Sequence, residues 1–330
     1  MAGDLGLLVA GLAVSIASSF VLARELDRVG VRLGVTEGLL GILTALGADA
    51  PEISTAAVAV LTHRPDIGVG VVLGSNVFNL AGLLGLGALV AGHVRIGRQA
   101  ALLEGSAAIA VAALAVAIAL RWLPPLPGLV LVTAVMAPYA WLASARPEHV
   151  ARLPGVRLKG FLTHAVRQGH RAARLDHLPA PATTTSWLLL PPALALVVGG
   201  SIAVVHAASS IGVAQGISQG VMGTLVLAIA TSIPNVVAAL RLAVHHRGSA
   251  VVSEAYNSNS ANVLGGLCIP AAILGLGAAT QHGRVTAESA LGMTILSVVL
   301  LARAPSISWS TSTRPHTTST TIRCSGGPSV

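Results

Sequence analysis

The chain has 330 residues, 54% of them hydrophobic and only 10% charged, with 36 glycines and a mean hydropathy of +0.80. A soluble domain carries about 25% charged residues, so this composition describes a polytopic membrane protein. The formal charge of +8 comes with 3% aromatics and no recognition motif, which excludes nucleic acid as partner, and Cys268 and Cys324 give neither a disulfide framework nor metal-ligand spacing.

A membrane helix needs about 20 apolar residues. In chain order the predicted spans lie near 5–23, 35–61, 67–92, 100–120, 126–144, 188–207, 217–244, 250–278 and 286–302. The first is a span and not a signal peptide: it lacks a basic n-region, and Arg24 and Arg28 follow the apolar stretch. Between the fifth and sixth spans lies a basic polar insert, 145–185, with Arg146, Arg152, Arg157, Lys159, Arg167, Arg171 and Arg174. It separates a first membrane half, 1–144, from a second, 186–302. Residues 303–330 are Ser/Thr-rich and contain no apolar run long enough to span. They read either as a disordered tail or as an altered end that replaces a lost tenth helix.

Charge sets the orientation. Arg24, Arg28, Arg32, Arg95, Arg98, the seven basic residues of the insert, Arg241, Arg247, Arg303, Arg314 and Arg323 fall on one side, which is 17 of the 20 basic residues. Only Arg64, Arg121 and Arg284 fall on the other. The positive-inside rule makes the rich side cytoplasmic and the N-terminus external. The plasma membrane is the expected location, and membrane lipids contact the basic insert.

Two stretches repeat one motif. Gly47-Ala-Asp-Ala-Pro-Glu52 and Gly74-Ser-Asn-Val-Phe-Asn79 recur as Ala230-Thr-Ser-Ile-Pro-Asn235 and Asn257-Ser-Asn-Ser-Ala-Asn262. Laying 41–86 on 224–269, at a constant offset of 183, needs no gap and leaves eleven identities. Span two then runs outward and span seven inward, so the repeats have inverted topology. Paired, interrupted hydrophobic segments in corresponding halves point to a transporter's binding site.

Gly47 and Pro51 are expected to interrupt span two, and Pro234 span seven, because proline removes an N–H and clashes with the preceding turn. Glu52 and Asn235 follow the prolines directly. Ser75, Asn76 and Asn79 supply further oxygens from span three, and Ser258, Asn259 and Asn262 from span eight. Hard cations such as Ca²⁺ and Na⁺ take cages of carboxylate, amide, hydroxyl and carbonyl oxygens. The bland alternative for Ser75, Asn76 or Ser258 is an interhelical hydrogen bond. Glu52 resists that reading, since a mid-span carboxylate is costly without a role. Glu104 and Glu288, near span ends, are expected at the interface.

Both stretches resemble the α-repeats of the cation/Ca²⁺ antiporter superfamily, the sodium/calcium exchanger group, whose pattern is Gly-Thr-Ser-x-Pro-Glu followed by Gly-Ser-Asn-x-x-Asn or Asp. The first repeat matches at Gly47, Pro51, Glu52, Gly70, Gly74-Ser75-Asn76 and Asn79. The second departs from it, with Asn235 for the second glutamate and Asn257 for glycine. The resemblance implies an all-α, inverted-repeat exchanger bundle of about nine spans, an expected tenth being absent, and no enzyme activity. It implies a site of Glu52, Asn79, Asn235 and Asn262, flanked by Thr231, Ser232, Ala48 and Asp49. Asp49 stands where serine is usual and restores a charge; Glu254, four residues before Ser258, either restores another or faces the interface.

The implied function is secondary active antiport of Ca²⁺ against Na⁺ or H⁺, with inorganic cations as cargo and no resident cofactor. The other readings are a monovalent cation or proton exchanger, a channel-like or non-transporting homologue, and an intramembrane hydrolase using Ser75 or Ser258. Against the last, all eleven histidines fall in loops, tails or span edges. No nucleotide-binding motif is present, which argues against ATP-driven pumping.

Overall fold

The computed structural model describes residues 1–34, 37–91, 93–95, 97–152, 158–173, 182–245, 248–276, 281–303 and 306–308. The first half comprises α1 (Ala2–Arg32), α2 (Glu37–Leu61), α3 (Pro65–Phe78), a π-helical turn (Asn79–Leu83), α4 (Leu84–Ala91), β1 (His93–Arg95), α5 (Arg98–Ala119) and α6 (Pro125–Ser144). The basic insert is more ordered than its composition suggests, holding α7 (Pro147–Ala151) and α8 (Lys159–Ala173). The second half comprises α9 (Thr184–Gln215), α10 (Gln219–Val221), a π-helical turn (Met222–Leu227), α11 (Ala228–Thr231), α12 (Ile233–Val244) and α13 (Gly248–Asn262). A third π-helical turn (Val263–Cys268), α14 (Ile269–Leu274), α15 (Gln281–Arg303) and β2 (Ser306–Ser308) complete it.

Six helices among the described residues are long and apolar enough to cross a membrane, or seven if the bent pair Gln219–Thr231 and Ile233–Val244 is one span. The nine expected spans include two more, 35–61 and 250–278. Both are helical, in α2 and in 248–274, but neither is among the six. They carry the buried polar residues of the repeats, which lower their hydropathy.

The expected break in span two does not occur. α2 runs unbroken with Pro51 inside it, whereas span seven bends by 43° between Thr231 and Ile233. Gly47 has a different role: a Cβ there would lie 2.4 Å from the Ala23 Cα. It is therefore a point of close approach of α2 to α1. The helix continues through Pro51 although local sequence disfavours it there.

Small residues set the helix contacts, as expected in lipid, where no hydrophobic force draws helices together. α1 lies along α9, where a Cβ on Gly200 would sit 2.6 Å from the Gly11 carbonyl oxygen, and Ser15 donates to the Val197 carbonyl at 3.3 Å. α3 meets the π turn Met222–Leu227 in the same way. A Cβ on Gly70 would fall 2.8 Å from the Gly220 carbonyl oxygen, and one on Gly74 2.6 Å from that of Thr224. β1 pairs antiparallel with β2, His93 opposite Ser308. Three tail residues are thus in register with the first half, and 309–330 lie outside the described residues.

Candidate ion centre

The two repeats cross at their polar residues. α2 brings Asp49 and Glu52, α3 brings Ser75 and Asn76, and the π turn after it opens with Asn79. From the second half, Thr231 closes α11, Ser232 and Asn235 begin α12, and Ser258, Asn259 and Asn262 lie along α13. The π turns Asn79–Leu83 and Val263–Cys268 follow at equivalent places, since Asn79 plus 183 is Asn262. Such turns are frequent at functional sites.

Hydrogen bonds join the halves. Asn235 Nδ2 donates to Asp49 Oδ1 at 2.7 Å, to Ser258 Oγ at 3.2 Å and to Glu52 Oε1 at 3.3 Å. Ser258 Oγ donates to Asp49 Oδ1 at 2.5 Å. Ser232 Oγ donates to Glu52 Oε1, and Asn262 Nδ2 to Glu52 Oε2. Asn262 also reaches Ser75 Oγ at 3.4 Å. Asn79 Nδ2 donates to Ser258 Oγ and Asn259 Oδ1, both at 3.0 Å, while Asn259 Nδ2 donates to the Asn76 carbonyl at 3.0 Å. Thr231 Oγ1 donates to its own helix, at the Leu227 carbonyl, 2.8 Å away.

Asp49 and Glu52 are 0% and 1% exposed. Among the described residues neither carboxylate has an ion pair with a basic side chain. Five atoms of the cluster are buried with no hydrogen-bond partner: Asp49 Oδ2, Asn76 Oδ1, Asn79 Oδ1, Asn235 Oδ1 and Asn262 Oδ1. All five are oxygens. The amide nitrogens of Asn79, Asn235 and Asn262 are spent inside the cluster, so what remains is acceptor capacity. Buried acceptors without donors are costly, and a set drawn from five segments of both halves fits a hard cation.

The structure thus brings ten of the twelve predicted residues together; the exceptions are Thr231, whose hydroxyl bonds carbonyls of its own segment, and Glu254. Glu254 lies on α13 within Coulombic reach of Asp49 and Asp27, but its Oε1 is buried with no hydrogen-bond partner among the described residues. Ala48 is buried beside the site and offers no side-chain ligand. The histidines are not all peripheral as expected: His206 lies inside α9, where it is exposed. Ser75 and Ser258 bond the Val72 carbonyl and Asp49, so neither has a histidine partner.

Two polar features depart from the sequence reading. Ser201 of α9 lies 2.5 Å from Ser54 Oγ and accepts from Thr55 at 3.1 Å, tying α9 to α2. Glu104, expected at the interface, is instead buried at 8% exposure within α5. Ser201 carries no motif signal. Asn257, standing where the first repeat has Gly74, is the one hint of a polar layer behind α13.

The fold and centre together define an all-helical membrane protein built from two inverted halves around a buried oxygen cluster. The profile described as sodium/calcium exchanger protein matches residues 4–153 and 185–317. The chain belongs to that family. The protein named "Putative antiporter CaxA" of Alkalimonas amylolytica is 30% identical over 273 residues, 78% of this chain and 75% of that one. Sodium/potassium/calcium exchanger 3 of Homo sapiens is 37% identical over 71 residues, 21% of this chain but only 11% of its own length. Among solved structures, the sodium-calcium exchanger NCX_Mj, soaked with Na⁺ and Sr²⁺, superposes with TM-score 0.57 at 21% identity, covering 92% of this chain and 91% of that one. The H⁺/Ca²⁺ exchanger CAX superposes with TM-score 0.66 at 16% identity, covering 93% and 78%.

Proposed function

We propose that this chain is a secondary active antiporter that exchanges Ca²⁺ against Na⁺ or H⁺ by alternating access around Glu52, Asp49, Asn79, Asn235 and Asn262. The observation that carries the reading is the set of five partnerless buried oxygens, contributed by both repeats to one cluster. The position of Asp49 favours a divalent cargo. Asn235 is neutral where the resemblance implies glutamate, yet its amide lies 2.7 Å from Asp49. A second carboxylate is therefore in the centre, carried by the opposite repeat. Ser75, Asn76, Thr231, Ser232, Ser258 and Asn259 complete the cage or hold its ligands. The exchangers named above support antiport as the activity, and the basic-residue asymmetry supports an external N-terminus and a cytoplasmic 145–185 segment in the plasma membrane.

The test is Ca²⁺ flux in proteoliposomes with imposed Na⁺ or H⁺ gradients. Uphill Ca²⁺ movement driven by one gradient is expected, and its loss in Glu52→Gln with normal membrane insertion. Gradient-independent flux would make the protein a channel. Wild-type flux in Glu52→Gln would place the ion elsewhere.

A further inference from the structure

The two repeats differ most on the face of α13 that turns away from the ion centre. In the first repeat the positions behind the centre are Gly70 and Gly74, and bare backbone there lets α3 pack against the turn 222–227. At the offset of 183 stand Ser253 and Asn257. The Ser253 hydroxyl faces the Glu104 carboxylate of α5 within hydrogen-bonding reach. Asn257 Oδ1 accepts from Tyr139 OH of α6 at 2.7 Å. Tyr256, between them, shares a hydrogen bond of 3.1 Å with Ser297 of α15. The polar layer is one-sided, since the position equivalent to Glu104 at the same offset is Ala287.

Glu104 is the member that packing does not explain. It stands six residues into α5, about 9 Å along the helix axis. It is 8% exposed, and its Oε2 is buried with no partner. The titratable groups facing it are Tyr139 from α6 and Tyr256 from α13. From α15 the near residues are Val298, against Gly105, and Ser297, on Tyr256. No salt bridge reaches Glu104 among the described residues. A buried carboxylate without a cation is expensive, and such groups inside a membrane serve by default in ion or proton handling. One serine donor and one free oxygen make a place for a proton. Serine and tyrosine hydroxyls, an amide and a single carboxylate, with the Tyr139 hydroxyl already committed to Asn257, do not make a cage for a metal.

We propose that Glu104 is a proton-binding site distinct from the ion centre and linked to it through α13. Ser253 and Asn257 carry the link, because Asn257 immediately precedes Ser258, which donates to Asp49. A cation in the centre adds positive charge on the far face of α13 and favours the ionised Glu104. By reciprocity, the proton on Glu104 weakens cation binding by the same factor. The link rests on the ion-centre reading above; the proton site itself does not.

Infrared difference spectroscopy of the full-length protein in lipid, titrated with pH, tests both parts without needing transport. A protonated-carboxyl band absent from Glu104→Gln is expected. In Ser253→Ala, which removes the donor to the ionised form, its midpoint should rise by about one pH unit, the worth of one hydrogen bond to a charged group. Addition of Ca²⁺ or Na⁺, with binding measured in parallel by calorimetry, should lower the wild-type midpoint. Absence of a Glu104 band overturns the proton site, whatever the ion centre does. A band that disappears on adding K⁺ or Na⁺ to a Glu52→Gln protein would make Glu104 a metal ligand and also overturn it. If calorimetry shows ion binding but the midpoint does not move, the link through α13 is refuted and the ion-centre reading stands. If neither ion binds, the ion-centre reading fails and the Glu104 band still decides the proton site.

Discussion

Asp49 and Asn235 can be exchanged as a pair, and the outcome separates a relocated charge from a chance neighbour. Asp49→Asn keeps volume and acceptor geometry but removes one of two carboxylates from the centre. Two unit charges 4 Å apart interact by about 4 kcal/mol at an effective dielectric of 20, so a carboxylate and a divalent ion interact by about 8 kcal/mol gross. Removing one partner of a buried pair costs about 3–5 kcal/mol net, which is about two to three and a half decades in affinity. Ca²⁺ affinity of Asp49→Asn, measured by calorimetry, should therefore fall by at least about 100-fold, and Na⁺ affinity by clearly less.

Asn235→Glu alone should gain little. It replaces an amide donor 2.7 Å from Asp49 Oδ1 with a third carboxylate, and repulsion of about 4 kcal/mol offsets the added attraction. In the Asp49→Asn background the same change should recover most of the lost Ca²⁺ affinity. The double-mutant cycle then shows coupling of about 2 kcal/mol or more. Additive effects, with no rescue, would refute the idea that Asp49 supplies the charge missing at position 235.

Three further outcomes follow from the same geometry. Gly74→Ala drives a Cβ to 2.6 Å from the Thr224 carbonyl oxygen; backbone cannot swing aside as a side chain can, so a loss of about 1–3 kcal/mol should appear as a lower melting temperature in detergent. Glu254→Gln should change Ca²⁺ affinity less than about threefold, because Glu254 Oε1 has no hydrogen-bond partner among the described residues and Glu254 acts on Asp49 at a distance; a loss as large as that of Asp49→Asn would make it a ligand. Cysteines placed in 145–185 should resist an impermeant thiol reagent in intact cells and react after permeabilisation, and labelling from outside would reverse the assigned orientation.

The architecture was legible because membrane helices announce themselves by hydropathy and the internal repeat by its offset. The cluster was legible on similar grounds: polar side chains are too costly in hydrocarbon to be scattered there without a shared role, and ten of them meet. What escaped the sequence were matters of partnership. Pro51 predicted a break, but α2 continues through it, and Gly47 instead marks where α2 packs closely on Ala23. Glu104 looked interfacial, because its distance from the helix end says nothing about Ser253 opposite it. Glu254 has the right spacing to Ser258, yet helix periodicity fixes a face and not a partner.

The distribution of charge between the halves bears on how the centre works. Both carboxylates of the cluster come from α2, three residues apart, and the second repeat supplies hydroxyls and amides. An inverted repeat with one carboxylate in each half would hold an ion symmetrically, so that either half could retreat with an equal share of the charge. On the proposed reading a divalent ion would be held electrostatically by α2, with α12 and α13 as hydrogen-bonding walls around it. Asn235 and Ser258 both donate to Asp49, so withdrawal of the second half would leave that carboxylate without the donors that stabilise its charge. Movement of the second-half helices away from α2 would thus alter the centre's affinity as well as its accessibility, whereas movement of α1 and α9, which contribute no residue to the cluster, would alter accessibility alone.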